Sequence, residues 1–213
     1  GQTTALVGPS GAGKSSVFNI LTRLVDPDGG LVAVGGVPVS ALDLTTLRSL
    51  YSSVTQDAAL FDETIRENVL LGRTDVSEAS LARALEVAHV TEFTDAMPAG
   101  LETPAGPRGS ALSGGQRQRV AIARAVLRDA PSLLRDEATS ALDTASEAKV
   151  AQALSELSQG RTTLVIAHRL STVRDADKIV VIVEGRVVEE GTHDALLAAG
   201  GAYAGLCRMQ LVE

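Results

Sequence analysis

The octapeptide GPSGAGKS, residues 8–15, constrains the fold of this chain more than any other stretch of its sequence. It fits the pattern G-x-x-x-x-G-K-[ST], and it lies between an apolar strand predicted over residues 3–7 and a helix predicted from Lys14 to about Val25. Glycines let the backbone curl so that successive N–H groups point at an anion, and the helix N-terminus adds favourable potential. The pattern therefore predicts a phosphate-binding loop; a glycine-rich turn without a ligand is the alternative.

Each part of this predicted loop has a chemical role. Lys14 would reach the β- and γ-phosphates of a nucleotide, and the Ser15 hydroxyl would ligate Mg²⁺. The predicted nucleotide-binding residues of the loop are Gly8, Pro9, Ser10, Gly11, Ala12, Gly13, Lys14, Ser15 and Ser16.

Two adjacent carboxylates follow a second apolar run, in the stretch SLLRDEATSALD over residues 132–143. Beside a phosphate loop, an acid at the end of a neighbouring strand holds Mg²⁺, and the next acid polarises the attacking water. We therefore predict that Asp136 is a metal ligand and that Glu137 is a general base. Two solvated acids at a strand terminus are the alternative.

The remaining pattern predicts an α/β fold: a P-loop NTPase core with a mostly parallel sheet, a small antiparallel β portion and an inserted α-helical subdomain. Strands are predicted at 51–55, 132–136 and 162–167, with hairpins over 31–39 and 178–191. The helical insert is expected over residues 57–112 of a single domain, and a last helix is expected from about residue 194.

Composition limits the classes of partner. The net charge of −7 argues against broad binding to nucleic acid, which requires a basic face. The single cysteine, Cys207, excludes an internal disulfide and is predicted to be a packing residue. No apolar run reaches the ~20 residues of a membrane-spanning helix. Because the sequence opens at Gly1 directly into a strand, we expect it to be a piece of a longer polypeptide.

A second helix N-terminus is predicted at LSGGQ, residues 112–116. Ser113 and Gln116 form a potential capping box, but two glycines weaken a first helical turn, so capping alone does not explain Gly114 and Gly115. Glycines there suit a close approach of a ligand to the backbone. A head-to-tail dimer, in which this terminus covers the partner's γ-phosphate, would explain why one chain carries two phosphate-friendly termini.

The order of the phosphate loop, Gln56, LSGGQ, RDEATSALD and His168 resembles the nucleotide-binding domain of an ABC transporter over essentially the whole chain. The stretches TIRENV and IAHRLSTVRDADKIVVIVEG resemble the exporter-type branch. The resemblance implies that Gln56 contacts Mg²⁺ or the attacking water, and that His168 contacts the γ-phosphate. Catalytic roles therefore fall on Glu137, His168, Lys14 and Gln56.

The resemblance also implies roles between two subunits. Ser113, Gly114, Gly115 and Gln116 would lie against the nucleotide of the opposite subunit, and the loop from Ser140 to Asp143 would cross between subunits. The metal ligands would be Ser15, Gln56 and Asp136. His89, His193, Arg117 and Arg119 are predicted to have no role in the chemistry, the two arginines as part of a solvated helix face.

The implied function is that of an ATP-hydrolysing motor domain that closes as a homo- or heterodimer around two ATP·Mg²⁺. Its partners would be a second such domain and a transmembrane domain fused N-terminally, at the cytoplasmic face of the cell (inner) membrane; no nucleic acid is expected. The alternatives are a degenerate domain that holds ATP as a structural clamp, and a soluble ABC ATPase of translation or DNA repair.

Three features depart from the family pattern. The aromatic residue that stacks on adenine would lie before Gly1, outside this sequence, and Pro107 stands where exporters have a glutamate. Arg135 stands where a central strand should be apolar, because burial of an unpaired charge is costly. Three explanations stay open for Arg135: a tolerated residue whose head reaches water or a carboxylate, a weakened active site, or an error in the sequence.

Overall fold

The computed structural model describes residues 1–137 and 144–210, without the side chain of Gln210. The chain divides into two compact units, which are described in turn. The first consists of Gly1–Tyr51, Pro131–Glu137 and Thr162–Glu213, and the second of Ser52–Ala130 and Ala138–Arg161. The insert predicted over residues 57–112 lies within the second unit, which extends beyond it on both sides.

The strands of the first unit confirm the predicted α/β class with a mostly parallel sheet. They are β1 (Thr3–Val7), β2 (Ala33–Val34), β3 (Val37–Pro38), β5 (Ser132–Asp136), β6 (Thr162–Ile166), β7 (Lys178–Val183) and β8 (Arg186–Gly191). These strands of the main sheet lie in the order β5-β6-β1-β7-β8, in which β5, β6, β1 and β7 run parallel and β8 pairs antiparallel with β7. Strands β2 and β3 form a separate antiparallel hairpin through Gly35 and Gly36, as predicted. Strand β4 (Tyr51–Val54) spans the boundary between the two sequence ranges.

The helices of the first unit cover its sheet. They are α1 (Lys14–Leu21), α2 (Leu44–Ser49), α8 (Leu170–Arg174), α9 (His193–Ala199) and α10 (Ala202–Gln210). Strand alternation divides the core between the two faces. Ala5 and Val7 pack in a cluster with Leu196, Tyr203 and Cys207, whereas Leu6 packs with Val17 and Phe18 of α1.

The last helix predicted from the sequence is in fact two helices. Helix α9 ends at Gly200, whose φ of 68° is the left-handed conformation that glycine adopts most readily. The Glu189 carboxylate then accepts hydrogen bonds from the backbone N–H groups of Ala202 and Tyr203 at 2.7 and 2.9 Å, which caps α10. The prediction of one continuous helix was wrong because an acceptor from a distant strand begins a new one.

The second unit is built around one buried helix. Its helices are α3 (Ile65–Leu70), α4 (Glu78–Val87), α5 (Thr91–Thr94), α6 (Gly114–Arg128) and α7 (Thr144–Ser158). Helices α3, α4 and α7 all pack on α6, where Val120, Ile122 and Ala123 are fully buried. Across the described parts of both units, no helix is long and apolar enough to cross a membrane.

Candidate functional site

The predicted phosphate loop lies between β1 and α1, and its lysine is held by the loop itself. Lys14 is buried, and its Nζ donates hydrogen bonds to the carbonyl oxygens of Gly8 and Pro9 at 2.8 and 2.9 Å. Burial lowers the pKa of Lys14, and the nearby Asp136 carboxylate opposes that shift. The ammonium group is therefore already placed across the loop, and its positive charge faces the acid predicted to hold the metal.

The β7–β8 hairpin, which is distant from the phosphate loop in the sequence, supports that loop. The N–H of Gly185, in the turn between β7 and β8, donates to the Ala12 carbonyl oxygen at 3.0 Å. A Cβ atom on Gly8 would lie 2.0 Å from the carbonyl oxygen of Ile182, so no larger residue fits there without a backbone shift. The start of the loop is thus fixed against β7, whereas Ser10, Gly11, Ser15 and Ser16 are exposed.

The sheet brings the predicted residues of the first unit to one edge. Strands β5, β6 and β1 are parallel neighbours, so their carboxyl ends lie on the same side of the sheet. The phosphate loop follows β1, Asp136 ends β5 with Glu137 directly after it, and His168 lies just beyond β6. The carboxyl edge of a parallel sheet is where ligands bind in open α/β folds. The topology therefore assembles four sequence-predicted elements at one place.

The two carboxylates differ in environment. Asp136 is half-buried at the last position of β5, opposite Ile166. Glu137 is buried, and its N–H donates to the Ile166 carbonyl oxygen at 3.1 Å, which continues the ladder by one residue. Its Oε1 accepts a hydrogen bond from Thr172 Oγ1 at 2.6 Å. Thr172, on α8, was not predicted as a site residue, because nothing in the sequence indicates that α8 crosses the end of β5.

Arg135 is paired with the predicted general base. Its Nη2 lies 2.5 Å from Glu137 Oε1, and the side chains are 15% and 6% exposed. Burial lowers the pKa of Arg135, while the charge of Glu137 opposes the shift. The expectation that the guanidinium could reach a carboxylate is therefore met. Residues two apart on a strand share a face, so this spacing was a signal for the pair that sequence analysis missed.

The donor set fits a magnesium ion. Hydroxyl and carboxylate oxygens such as those of Ser15 and Asp136 are the hard ligands that Mg²⁺ prefers, with water and substrate phosphates completing the shell. Within the described ranges, no group of three or more His, Cys, Asp or Glu side chains could hold a metal alone.

The remaining predicted residues lie in several places. His168 is exposed beyond β6 in the first unit, and Gln56 is exposed after β4 in the second. Asp143, together with the predicted crossing loop from Ser140, falls outside the described residues.

The LSGGQ stretch forms the capping box predicted for it. The Ser113 N–H donates to Gln116 Oε1 at 2.9 Å, and the Gln116 N–H donates to Ser113 Oγ at 3.2 Å. Ser113 is exposed, and Gly114 and Gly115 form the first positions of α6. The Ser113 hydroxyl accepts in this box, which leaves its own proton for an external acceptor.

The prediction of a solvated arginine pair on α6 was wrong. Arg119 is buried and lies over the Phe93 ring at 4.8 Å, and its Nη1 donates to the His89 carbonyl oxygen at 3.1 Å. Arg117 is half-buried and donates to the Leu112 carbonyl oxygen at 2.6 Å. Arg119 thus connects α6 to α5 and to the residues just before it, and Arg117 connects α6 to the residue before its N-cap. His193 bonds to the Tyr203 hydroxyl at 2.7 Å and Cys207 is buried, in agreement with packing roles.

Strand β1, the loop and α1, with two acids at the end of β5, define a P-loop nucleotide-binding domain. The chain belongs to the ABC transporter family, which its residues 1–140 match. This confirms the resemblance predicted from its motifs.

Similar proteins are of the exporter type. The chain is 54% identical over 210 residues to an ATP-dependent lipid A-core flippase of Burkholderia orbicola, covering 99% of the chain and 35% of the relative. A protein of the same name from Neisseria meningitidis is 50% identical over 203 residues, with 95% and 33% covered. A solved bacterial Atm1-family ABC exporter with ATP bound superposes with a TM-score of 0.92 at 42% identity, covering all of this chain and 37% of the other. The chain thus spans about a third of these relatives.

Proposed function

We propose that this chain is the ATP-hydrolysing motor domain of an exporter-type ABC transporter. The observation that carries the proposal is the convergence of the Lys14 loop, Asp136, Glu137 and His168 at the carboxyl edge of β1, β5 and β6. Catalysis in such a site is mostly positioning and electrostatic stabilisation of the transferring phosphoryl group.

The roles of the residues follow from their chemistry. Loop amides and Lys14 would bind the phosphates, and Ser15, Asp136 and Gln56 would hold Mg²⁺ directly or through water. When bound, Mg²⁺ would neutralise charge on the phosphate oxygens. Glu137 would accept the proton of the attacking water, and His168 would donate a hydrogen bond to the γ-phosphate.

The proposed assembly is a head-to-tail dimer. Two domains would enclose two ATP, with Ser113, Gly114, Gly115 and Gln116 of one subunit against the γ-phosphate in the other. The exposed Ser113 hydroxyl and the positive end of α6 support this role. Asp143 would belong to the same interface.

The proposed setting is a membrane transporter. The relatives are about three times as long as this chain, which supports fusion to a transmembrane domain at the cytoplasmic face of the membrane. Their name supports lipid A-core, or a lipid of similar chemistry, as the cargo. Stimulation of the full-length protein's ATPase by lipid A, but not by phosphatidylcholine alone, would test the cargo.

Steady-state ATP hydrolysis by the full-length protein with and without Mg²⁺ tests the motor proposal. We expect Mg²⁺-dependent turnover that Glu137→Gln lowers at least ~100-fold while ATP binding is kept, as for removal of a general base. Glu86→Gln, an exposed acid on α4, is the matched control and should leave turnover unchanged. ATP binding without turnover in the wild type would favour the structural clamp instead.

A further inference from the structure

The two carboxylate oxygens of Glu137 have different surroundings. Oε1 accepts from both Arg135 Nη2 at 2.5 Å and Thr172 Oγ1 at 2.6 Å. Oε2 is buried and has no hydrogen-bond partner among the described residues. The oxygen that would face the attacking water is therefore Oε2, while Oε1 anchors the side chain.

The contact with Arg135 is an enclosed ion pair. The two side chains are largely shielded from solvent, so their attraction is weakened little by water or salt. The guanidinium places only one nitrogen on the carboxylate, and its Nε is buried without a partner in the described part of the chain. Among the described residues, Glu137 is thus the acceptor with which this buried cation is paired.

We infer that Arg135 restrains catalysis by stabilising the Glu137 carboxylate more in the resting site than in the transition state. This inference rests on the proposed function, in which Glu137 takes a proton from the attacking water. As that proton arrives, the carboxylate loses negative charge and its attraction to Arg135 weakens. An interaction that is stronger in the ground state than in the transition state slows the chemical step. Arg135 is therefore a positioning residue that orients the base and limits turnover.

Substitutions that separate charge from shape test this inference. Arg135→Gln removes the charge but keeps a donor for Glu137, Arg135→Met keeps only a long apolar stem, and Arg135→Lys keeps the charge. In the full-length protein we expect Arg135→Gln and Arg135→Met to raise kcat roughly three- to tenfold. Both changes remove the charge that strengthens the hydrogen bond to Glu137, so the ground state loses part of its stabilisation. The KM for ATP should stay unchanged, and Arg135→Lys should resemble the wild type.

A double-mutant cycle shows whether the effect passes through Glu137. The gain from Arg135→Gln should vanish in a Glu137→Gln background, and ATP affinity, measured by titration in that background, should be the same with either residue at 135. Thermal unfolding of each variant identifies any that does not fold, and Arg135→Gln is retained if Arg135→Met fails.

The outcomes separate the inference from the proposed function. If the wild type hydrolyses ATP through Glu137 and folded Arg135→Gln has an unchanged or lower kcat, the inference is wrong and the motor proposal stands. A gain that persists without the Glu137 carboxylate also overturns it. If neither the wild type nor the Arg135 variants turn over bound ATP, both fail together.

Discussion

The ammonium nitrogen of Lys14 lies 2.8 Å from the carbonyl oxygen of Gly8, so the phosphate loop binds its own lysine. This hydrogen bond and the one to the Pro9 carbonyl oxygen hold the charged ammonium group across the loop. The lysine side chain is thereby held in position without a ligand. This lowers the conformational entropy that is lost when a phosphate binds.

Replacement of Lys14 by alanine should weaken nucleotide binding at least ~10-fold, because a buried charge-assisted contact to phosphate is lost. Titration with a fluorescent ATP analogue measures the change. Lys178→Ala, which removes an exposed lysine paired with Glu190, is the control and should bind as the wild type does. Equal affinities for all three proteins would contradict a role of Lys14 in binding.

Alanine at Gly8 should destabilise the first unit by about 2 kcal/mol or more, because the added Cβ meets a backbone oxygen that cannot swing away. Gly11→Ala is a matched control: Gly11 also has a positive φ, of 78°, but nothing lies within 4 Å of its added Cβ. That change should cost about 1 kcal/mol, the strain of the left-handed conformation alone. Urea unfolding measures the free energy of unfolding of both variants. Equal losses of stability in Gly8→Ala and Gly11→Ala would show that the contact with β7 is unimportant.

Two substitutions at Ser113 separate its capping role from its proposed role at a phosphate. Ser113→Ala removes the acceptor for the Gln116 N–H and should lower stability by about 1 kcal/mol. Ser113→Asp keeps a good cap and should retain stability, but its negative charge should repel a partner's γ-phosphate and reduce turnover. Unfolding curves and ATPase rates on the same samples provide the test. Full turnover in Ser113→Asp would argue against the proposed interface.

The stability contribution of Glu92 should depend on pH. Glu92 bonds to Lys149 and also contacts His89 and Arg119, and the Lys149 hydrogen bond, followed by these charges, lowers its pKa. A carboxyl whose pKa is lower in the folded state stabilises the fold above its unfolded pKa of about 4.3 and loses this effect as pH falls through the folded pKa.

Glu92→Gln should therefore reduce the free energy of unfolding near neutral pH by less than about 1 kcal/mol, since the side chain is 39% exposed and screened by solvent. The difference from the wild type should shrink as pH is lowered from about 5 toward about 3. Denaturant unfolding at several pH values measures it, with Glu86→Gln as a control. A difference that does not change with pH would exclude the ionic explanation.

Local signals were sufficient for much of the first unit. The strand, loop and helix around Gly8–Ser15 and the antiparallel hairpin at Gly35 and Gly36 follow from patterns within about ten residues, and the structure contains them. The carboxyl-edge position of Asp136 follows from parallel pairing, which alternating strands and helices predict. Such patterns are reliable because the physical cause lies within the segment itself.

Features set by distant residues could not be predicted. The break between α9 and α10 depends on the Glu189 carboxylate, which belongs to a strand. The burial of Arg119 depends on the residues that pack against α6. The contact between Thr172 and Glu137 depends on where α8 lies relative to the end of β5. The Arg135–Glu137 pair is different, because its spacing of two residues on one strand was visible. Strand alternation places Arg135 and Glu137 on the same face, so this contact could have been predicted from the sequence alone.

The hydrogen bond from Gly185 to Ala12 also concerns the order of synthesis. Translation produces the phosphate loop long before the β7–β8 turn that supports it, so for most of that time the loop has no partner for its Ala12 carbonyl. Any ligand that binds this supported loop can therefore stabilise the domain only after the hairpin has formed. Slow or interrupted translation between the two elements would prolong the time during which the phosphate loop lacks this support.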